Sequence, residues 1–190
     1  MSDGPPYDPR GVANLLLDVL DTKGRQATHI DLQKLLYFAH GRFLLATGGQ
    51  PLVNGYFEAW EYGPVHPAVY QAFKSARDRK IDFRAVRTNL ITGVQSAVAP
   101  PDSPAARRHI EVVASDYGQL STGQLVKLSH ASNAPWDQTI RRASNEVTLG
   151  TRISNDVIKE WFQRHKIDIG STGRLRGPFK DAPLIGNRSR

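Results

Sequence analysis

The sequence contains no cysteine. Disulfides, thiol nucleophiles and cysteine-ligated zinc are therefore excluded, and a reducing compartment suits the chain. No apolar run approaches the roughly 20 residues that span a bilayer. The opening stretch MSDGPPYDPR has no apolar core of the kind a secretion signal carries. A soluble, cytoplasmic protein with no membrane partner is the expectation. HExxH, the P-loop and GxGxxG are all missing from the 190 residues, as is any internal repeat. Gly170-Ser171-Thr172-Gly173 has the composition of a flexible linker rather than a phosphate cradle.

Excess charge is also missing from most of the chain. The net charge is +7, but the stretch from Arg164 to Arg190 holds seven Lys and Arg against two Asp, and so carries +5 of it. The remainder is nearly neutral, which argues against nucleic-acid binding by the domain as a whole. A smaller basic surface runs from Arg77 to Arg87, with Arg79, Lys80 and Arg84 set against Asp78 and Asp82.

What is present is enough apolar residue, 39%, for one ordinary domain with an extension. The stretch from Thr28 to Lys74 organises the rest. Thr28 with Asp31 three residues on is a variant capping box. Leu32, Leu36, Ala39 and Phe43 repeat at helical spacing, Leu35 and Phe38 widen the stripe, and Gly48-Gly49 ends it. Tyr56 to Tyr62 alternates as an extended segment, which Gly63-Pro64 closes. Pro67 then opens a second helix.

Before this stretch, residues 1–9 read as a flexible lead. Val12, Leu15, Leu16, Val19 and Leu20 predict a helix from Arg10 to Thr22. After it, Ile81-Asp82-Phe83 reads as a short extended piece and Thr88 to Asp102 as a loop. Ser103-Pro104 caps a helix to Tyr117 that buries Ile110, Val113 and Ala114. Ser121 with Gln124 caps another, to about Ala131, with Leu125 and Leu128 inward. Pro135-Trp136 opens a further turn, and a last helix from Ser154 buries Val157, Ile158, Trp161 and Phe162. The fold class is mainly α (α+β), a compact helical domain with a small antiparallel β element. The domain spans 10–166, and 167–190 is a basic, flexible tail.

Chemistry-bearing constellations are sparse. His29 and His40 share a helix face, but two ligands fall short of the three or four a metal site needs; no metal or cofactor is implied. His66 beside Glu61 is a minimal acid–base unit, yet no motif places a nucleophile. Ser129 and His130 are neighbours and point about 100° apart on a helix. No enzyme is expected; a hydrolase using His66 and Glu61 is the enzymatic alternative.

Tyr37, Tyr56, Trp60, Tyr62 and Tyr70 gather around the extended segment and the two helices. Trp60 reads as core, whereas Tyr62 and Tyr70 flank the Gly-Pro corner as surface candidates. Lys34 divides evenly between a solvated face and a partner contact. Trp136 after Pro135 reads as core. Gly63 and Pro64 set the backbone.

KLLYFAHG, then EAWEYGPVHPAVY, then LSHASNAPW resemble, in order and spacing, the Panacea domain of prokaryotic antitoxins, to which the phage-associated SocA- and GepA-like proteins belong. The match runs over most of Thr28 to Trp136, and its most specific part is Ala59-Trp60, Gly63-Pro64-Val65 and Val69-Tyr70. The resemblance implies an antitoxin that neutralises a toxin encoded by an adjacent gene. In the best-known type the domain also delivers the toxin to the AAA+ protease ClpXP. A protein partner is then expected at Lys34, Tyr37, Tyr62, His66 and Tyr70, with Arg174 and Arg176 of the tail. Trp60, Gly63, Pro64, Val65, Pro135 and Trp136 form the structural motif. Phe179, Leu184 and Ile185 among the tail arginines favour a protein over nucleic acid there.

Overall fold

A computed structural model describes residues 4–143, 150–165, 168–169 and 175–176. In chain order it has α1 (Pro9–Thr22), α2 (His29–Ala46), β1 (Phe57–Trp60), β2 (Gly63–Val65) and α3 (Pro67–Phe73), then β3 (Val86–Thr88) and β4 (Gln95–Ala97). There follow α4 (Pro104–Tyr117), α5 (Thr122–Ser129), α6 (Pro135–Arg142), β5 (Arg152–Ile153) and α7 (Asn155–Arg164), and last β6 (Asp168–Ile169) and β7 (Leu175–Arg176). Helices dominate and the strands form small antiparallel sheets, so the class is α+β. No helix among the described residues is long and apolar enough to cross a membrane.

Helix starts follow the capping residues. Thr28 and Asp31 complete a reciprocal capping box on α2, as Ser121 and Gln124 do on α5. Ser103 and Ser154 each accept a bond from the first turn of α4 and α7. α1 buries one full stripe, Val12, Leu15, Leu16, Val19 and Leu20.

α2 is the central element. It touches α1, α3, α4, α5, α7 and β2, and buries not only Leu32, Leu35, Leu36 and Phe38 but also Gln33, Lys34 and His40. A helix enclosed on several sides needs no polar face. Its most extensive helix contact is with α7. A Cβ on Gly41 would stand 2.2 Å from Cε2 of Phe162, so the ring lies directly against the helix backbone.

Three expectations are corrected. The extended segment stops at Trp60, and Gly63-Pro64 begins the returning strand instead of closing the first. Trp60 pairs with Gly63 and Ala59 with Pro64, leaving Glu61-Tyr62 as a two-residue turn. Pro64 has no N–H to give, which an edge strand tolerates, and β2 is the edge of the order β2-β1-β5. Second, the lead is held from residue 4 onward: Tyr7 is buried and exchanges backbone bonds with Leu52 and Asn54, while Asp8 caps α1. Third, the loop after Thr88 contains a hairpin. Val86 pairs with Ala97 and Thr88 with Gln95, and the Asn89 side chain accepts from the N–H groups of Ile91 and Thr92 in the turn.

Asn14 anchors that hairpin to α1. It is buried, donates to the carbonyls of Ala85 (3.1 Å) and Val98 (2.8 Å), and accepts from the Ala85 N–H (2.8 Å). Replacing it strands buried backbone groups. Asn14→Leu is expected to destabilise the chain by about 2–4 kcal/mol, read as a drop in the denaturant midpoint. A loss below about 1 kcal/mol, the size of a single net hydrogen bond, would show that the three bonds do not hold the hairpin.

Candidate functional site

The β1–β2 hairpin lies across the first half of α2, and α3 closes the third side. Between them is a cleft of about 400 Å³. α2 supplies His29, Ile30, Gln33 and Lys34; the hairpin supplies Trp60, Glu61, Tyr62 and Val65; α3 supplies Tyr70.

The cleft is built on a cluster of tilted rings. The Trp60 and Tyr70 ring centroids are 4.7 Å apart, and Tyr70 and His29 are 5.1 Å apart. Trp60 is fixed from two directions. Its indole N–H donates to Oε2 of Glu58 at 2.8 Å, and its carbonyl accepts from the indole N–H of Trp136 at 2.7 Å. Trp136 in turn lies against His130, centroid to centroid 4.1 Å. Trp60 is half-buried, a cleft wall more than a core residue.

Lys34 is the unexpected group. It is 1% exposed. Its Nζ donates to the Pro64 carbonyl at 3.0 Å, which is its one hydrogen bond among the described residues. No carboxylate there comes within ion-pair reach of it. Burial disfavours the charged amine and lowers its pKa to about 7. The same charge helps to push down the imidazoles of His29 and His130, after burial. Gly63 is required beside it. Its φ is +95°, and a Cβ there would meet Ser129 Oγ at 2.7 Å, His130 Cε1 at 2.8 Å and Lys34 Nζ at 3.0 Å.

The expected contact residues therefore divide. Lys34, Tyr62 and Tyr70 come together at one cleft. Tyr62 is 60% exposed on the turn. Tyr37 does not join them: it is 1% exposed, edge-on to Phe57 and Phe162, and burial pushes its phenol well above the usual range. A partner cannot reach it in this fold. His66 is also buried, at 3%. Its Nε2 donates to the Asn54 carbonyl at 2.9 Å and its ring stands edge-on to Phe57, away from the cleft, where Glu61 sits at the rim. The two form no hydrogen bond or ion pair among the described residues, so the acid–base unit is not assembled. Arg174 and the Arg176 side chain lie outside the described residues, as do Phe179, Leu184 and Ile185.

Gln33 and His29 are site residues that residue-by-residue reading missed. Gln33 faces the His29 ring at 3.4 Å and accepts from the backbone N–H of His66 at 2.8 Å, tying α2 to the start of α3. The available signal was a polar pair, Gln33-Lys34, inside an otherwise apolar stretch of helix. His40 lies further along, bonded to Asn155 at 2.9 Å. Among the described residues no group of three or more His, Asp or Glu could hold a metal ion. The basic surface expected near Arg77–Arg87 is largely paired within the chain: Arg84 with Asp18 and Asp21, Arg87 with Asp8, and Lys80 with Asp31.

The family described as antitoxin SocA-like, Panacea domain, matches residues 32–137. The chain is 41% identical over 181 residues to Antitoxin SocA of Caulobacter vibrioides, covering 95% of this chain and 96% of that protein. No solved structure matches the chain.

Lys34 burdens the fold. Between pH 7 and the ordinary lysine value of 10.5 the unfolded chain holds a proton that the folded chain lacks, so its contribution to stability rises with pH across that window. Below pH 7 the burial penalty is complete. Lys34→Met is expected to stabilise the chain by about 1–3 kcal/mol at pH 6.5, with a smaller gain at pH 10, both from denaturant unfolding. A destabilised variant would mean that the bond to Pro64 outweighs desolvation.

Proposed function

This chain belongs to the SocA-like, Panacea-domain antitoxin family, and from that membership we propose that it neutralises a cognate toxin by direct protein–protein binding at the cleft beside the Glu61-Tyr62 turn. It is a SocA homologue of a toxin–antitoxin system, not an enzyme. The toxin is the product of an adjacent gene. Blocking requires no chemistry from the chain, only a surface that fits.

The observation that carries this proposal is Tyr62. A tyrosine 60% exposed at the tip of a tight two-residue turn offers a large contact area with few rotors to order. It stands at the mouth of a cleft whose wall of tilted rings is pre-formed. Tyr70 and Trp60 supply that wall, and Lys34 lies beneath. The globular part over 10–166 is the binding unit, and the tail over 167–190, with Arg174 and Arg176, adds charge that speeds encounter with an acidic toxin face.

Delivery of the toxin to an AAA+ protease such as ClpXP adds a second surface to this one, which we assign to the tail. Toxin half-life in cells with and without the protease separates delivery from blocking, since a pure blocker leaves the half-life unchanged.

Tyr62→Ala removes exposed atoms and is expected to leave the unfolding midpoint within about 0.5 kcal/mol of wild type. Its affinity for the adjacent gene's product is expected to fall by about 30-fold, as for an interface hot spot, and co-expression should no longer rescue growth when the toxin is induced. Full rescue and unchanged affinity, repeated with Tyr62→Ala combined with Tyr70→Ala, would place the toxin on another face.

A further inference from the structure

We propose that the cleft is a receptor for one carboxylate side chain of the partner polypeptide, which seats its charge on the Lys34 ammonium and its hydrocarbon stem against Trp60 and Tyr70. This rests on the toxin-binding function proposed above and specifies what the toxin must bring to the site.

An ammonium has three N–H donors, and among the described residues Lys34 uses one, on the Pro64 carbonyl. Natural proteins seldom bury a lysine without a counter-charge. The groups that face it are unsuited to the task. Burial and the Lys34 charge push His29 and His130 toward the neutral imidazole, which brings no counter-charge. Ser129, which donates to the Val126 carbonyl at 2.9 Å, is neutral and brings no counter-charge, and Gln33 is committed to His29 and His66. Tyr62 and Tyr70 are acceptors too weak to match a cation. Glu58 is buried on the Trp60 indole, Asp137 is engaged with Arg141 and the Asn133 N–H, and Glu61 lines the cleft at its exposed rim without an ion pair to Lys34. Among the described residues a charge complement is missing, and the opening that could admit one is walled largely by apolar and aromatic groups.

Those walls define the visitor. A volume of about 400 Å³ takes a side chain with its flanking backbone. In a desolvated slot a carboxylate–ammonium contact is far stronger than at an open surface. A phosphate brings more charge and needs several donors, whereas this cleft offers one ammonium. A basic side chain would meet Lys34 head-on. The entering carboxylate draws a proton from solution onto the amine, so that binding and protonation are linked.

The test uses the full chain and the product of the adjacent gene, with titration calorimetry at pH 6.5 and pH 8.5. Because the free amine sits at about 7, wild-type affinity is expected to fall by about 25-fold across that interval when the bound ammonium stays charged. Lys34→Met, checked for folding by its unfolding midpoint, is expected to bind at least about 10-fold more weakly at pH 6.5 and to lose the pH dependence. An Asp→Asn and Glu→Gln scan of the partner, run against Lys34→Met as double-mutant cycles, is expected to find one acidic side chain coupled to Lys34. Wild-type binding that is flat with pH, Lys34→Met binding as wild type, or coupling to the partner's C-terminal carboxylate or to no carboxylate overturns the proposal while toxin binding stands. A wild-type chain that does not bind the adjacent product at all overturns the functional proposal first, and this one with it.

Discussion

The bond from Lys34 Nζ to the Pro64 carbonyl joins the two parts on which the molecule depends, the enclosed helix α2 and the hairpin laid across it. Enclosure is the governing constraint. Once α1, α4, α5 and α7 surround α2, every polar group on that helix must find a partner inside the protein or forfeit its hydration. Gln33 meets the start of α3, Lys34 meets β2 and His40 meets the cap region of α7. Each of these three residues thereby positions a different peripheral element.

The site follows from the same constraint. Gln33 and Lys34 set the depth and direction of the hairpin, and the hairpin fixes Trp60 and Tyr62. Gly63 lets the returning strand run close enough for its neighbour's carbonyl to reach the amine. Much of this is rigid, with ring against ring and indole N–H on carbonyl or carboxylate. The balance between stability and binding is concentrated in Lys34, which the fold tolerates and the cleft exploits.

How much of this was legible in the sequence depended on whether local signals and tertiary setting agreed. The capped helices were legible because Thr28, Ser103, Ser121 and Ser154 precede apolar repeats whose buried face matches the periodicity. The family was legible from AW, GPV and VY at fixed spacing. The turn was misplaced because Gly-Pro reads as a terminator, whereas pairing of Trp60 with Gly63 depends on a partner strand that sequence does not reveal. The β3–β4 hairpin escaped notice because it is held by Asn14 and Asn89 and not by buried alternation; Leu90 and Ile91 are almost fully exposed. Tyr37 and Lys34 were both expected to meet a partner, but enclosure of α2 puts both inside, and only the side toward the hairpin, where Lys34 lies, opens to a cleft.

The contact between Phe162 and the backbone at Gly41 has a consequence for biosynthesis. The two residues are separated by about 120 positions, so the flank of α2 that receives the ring is covered only after the chain through Phe162 has been synthesised. Until then the nascent chain carries an apolar furrow along its longest helix, open to chaperones and to unwanted neighbours. On that flank the closure of α2 waits for α7, the last of the described helices to be synthesised.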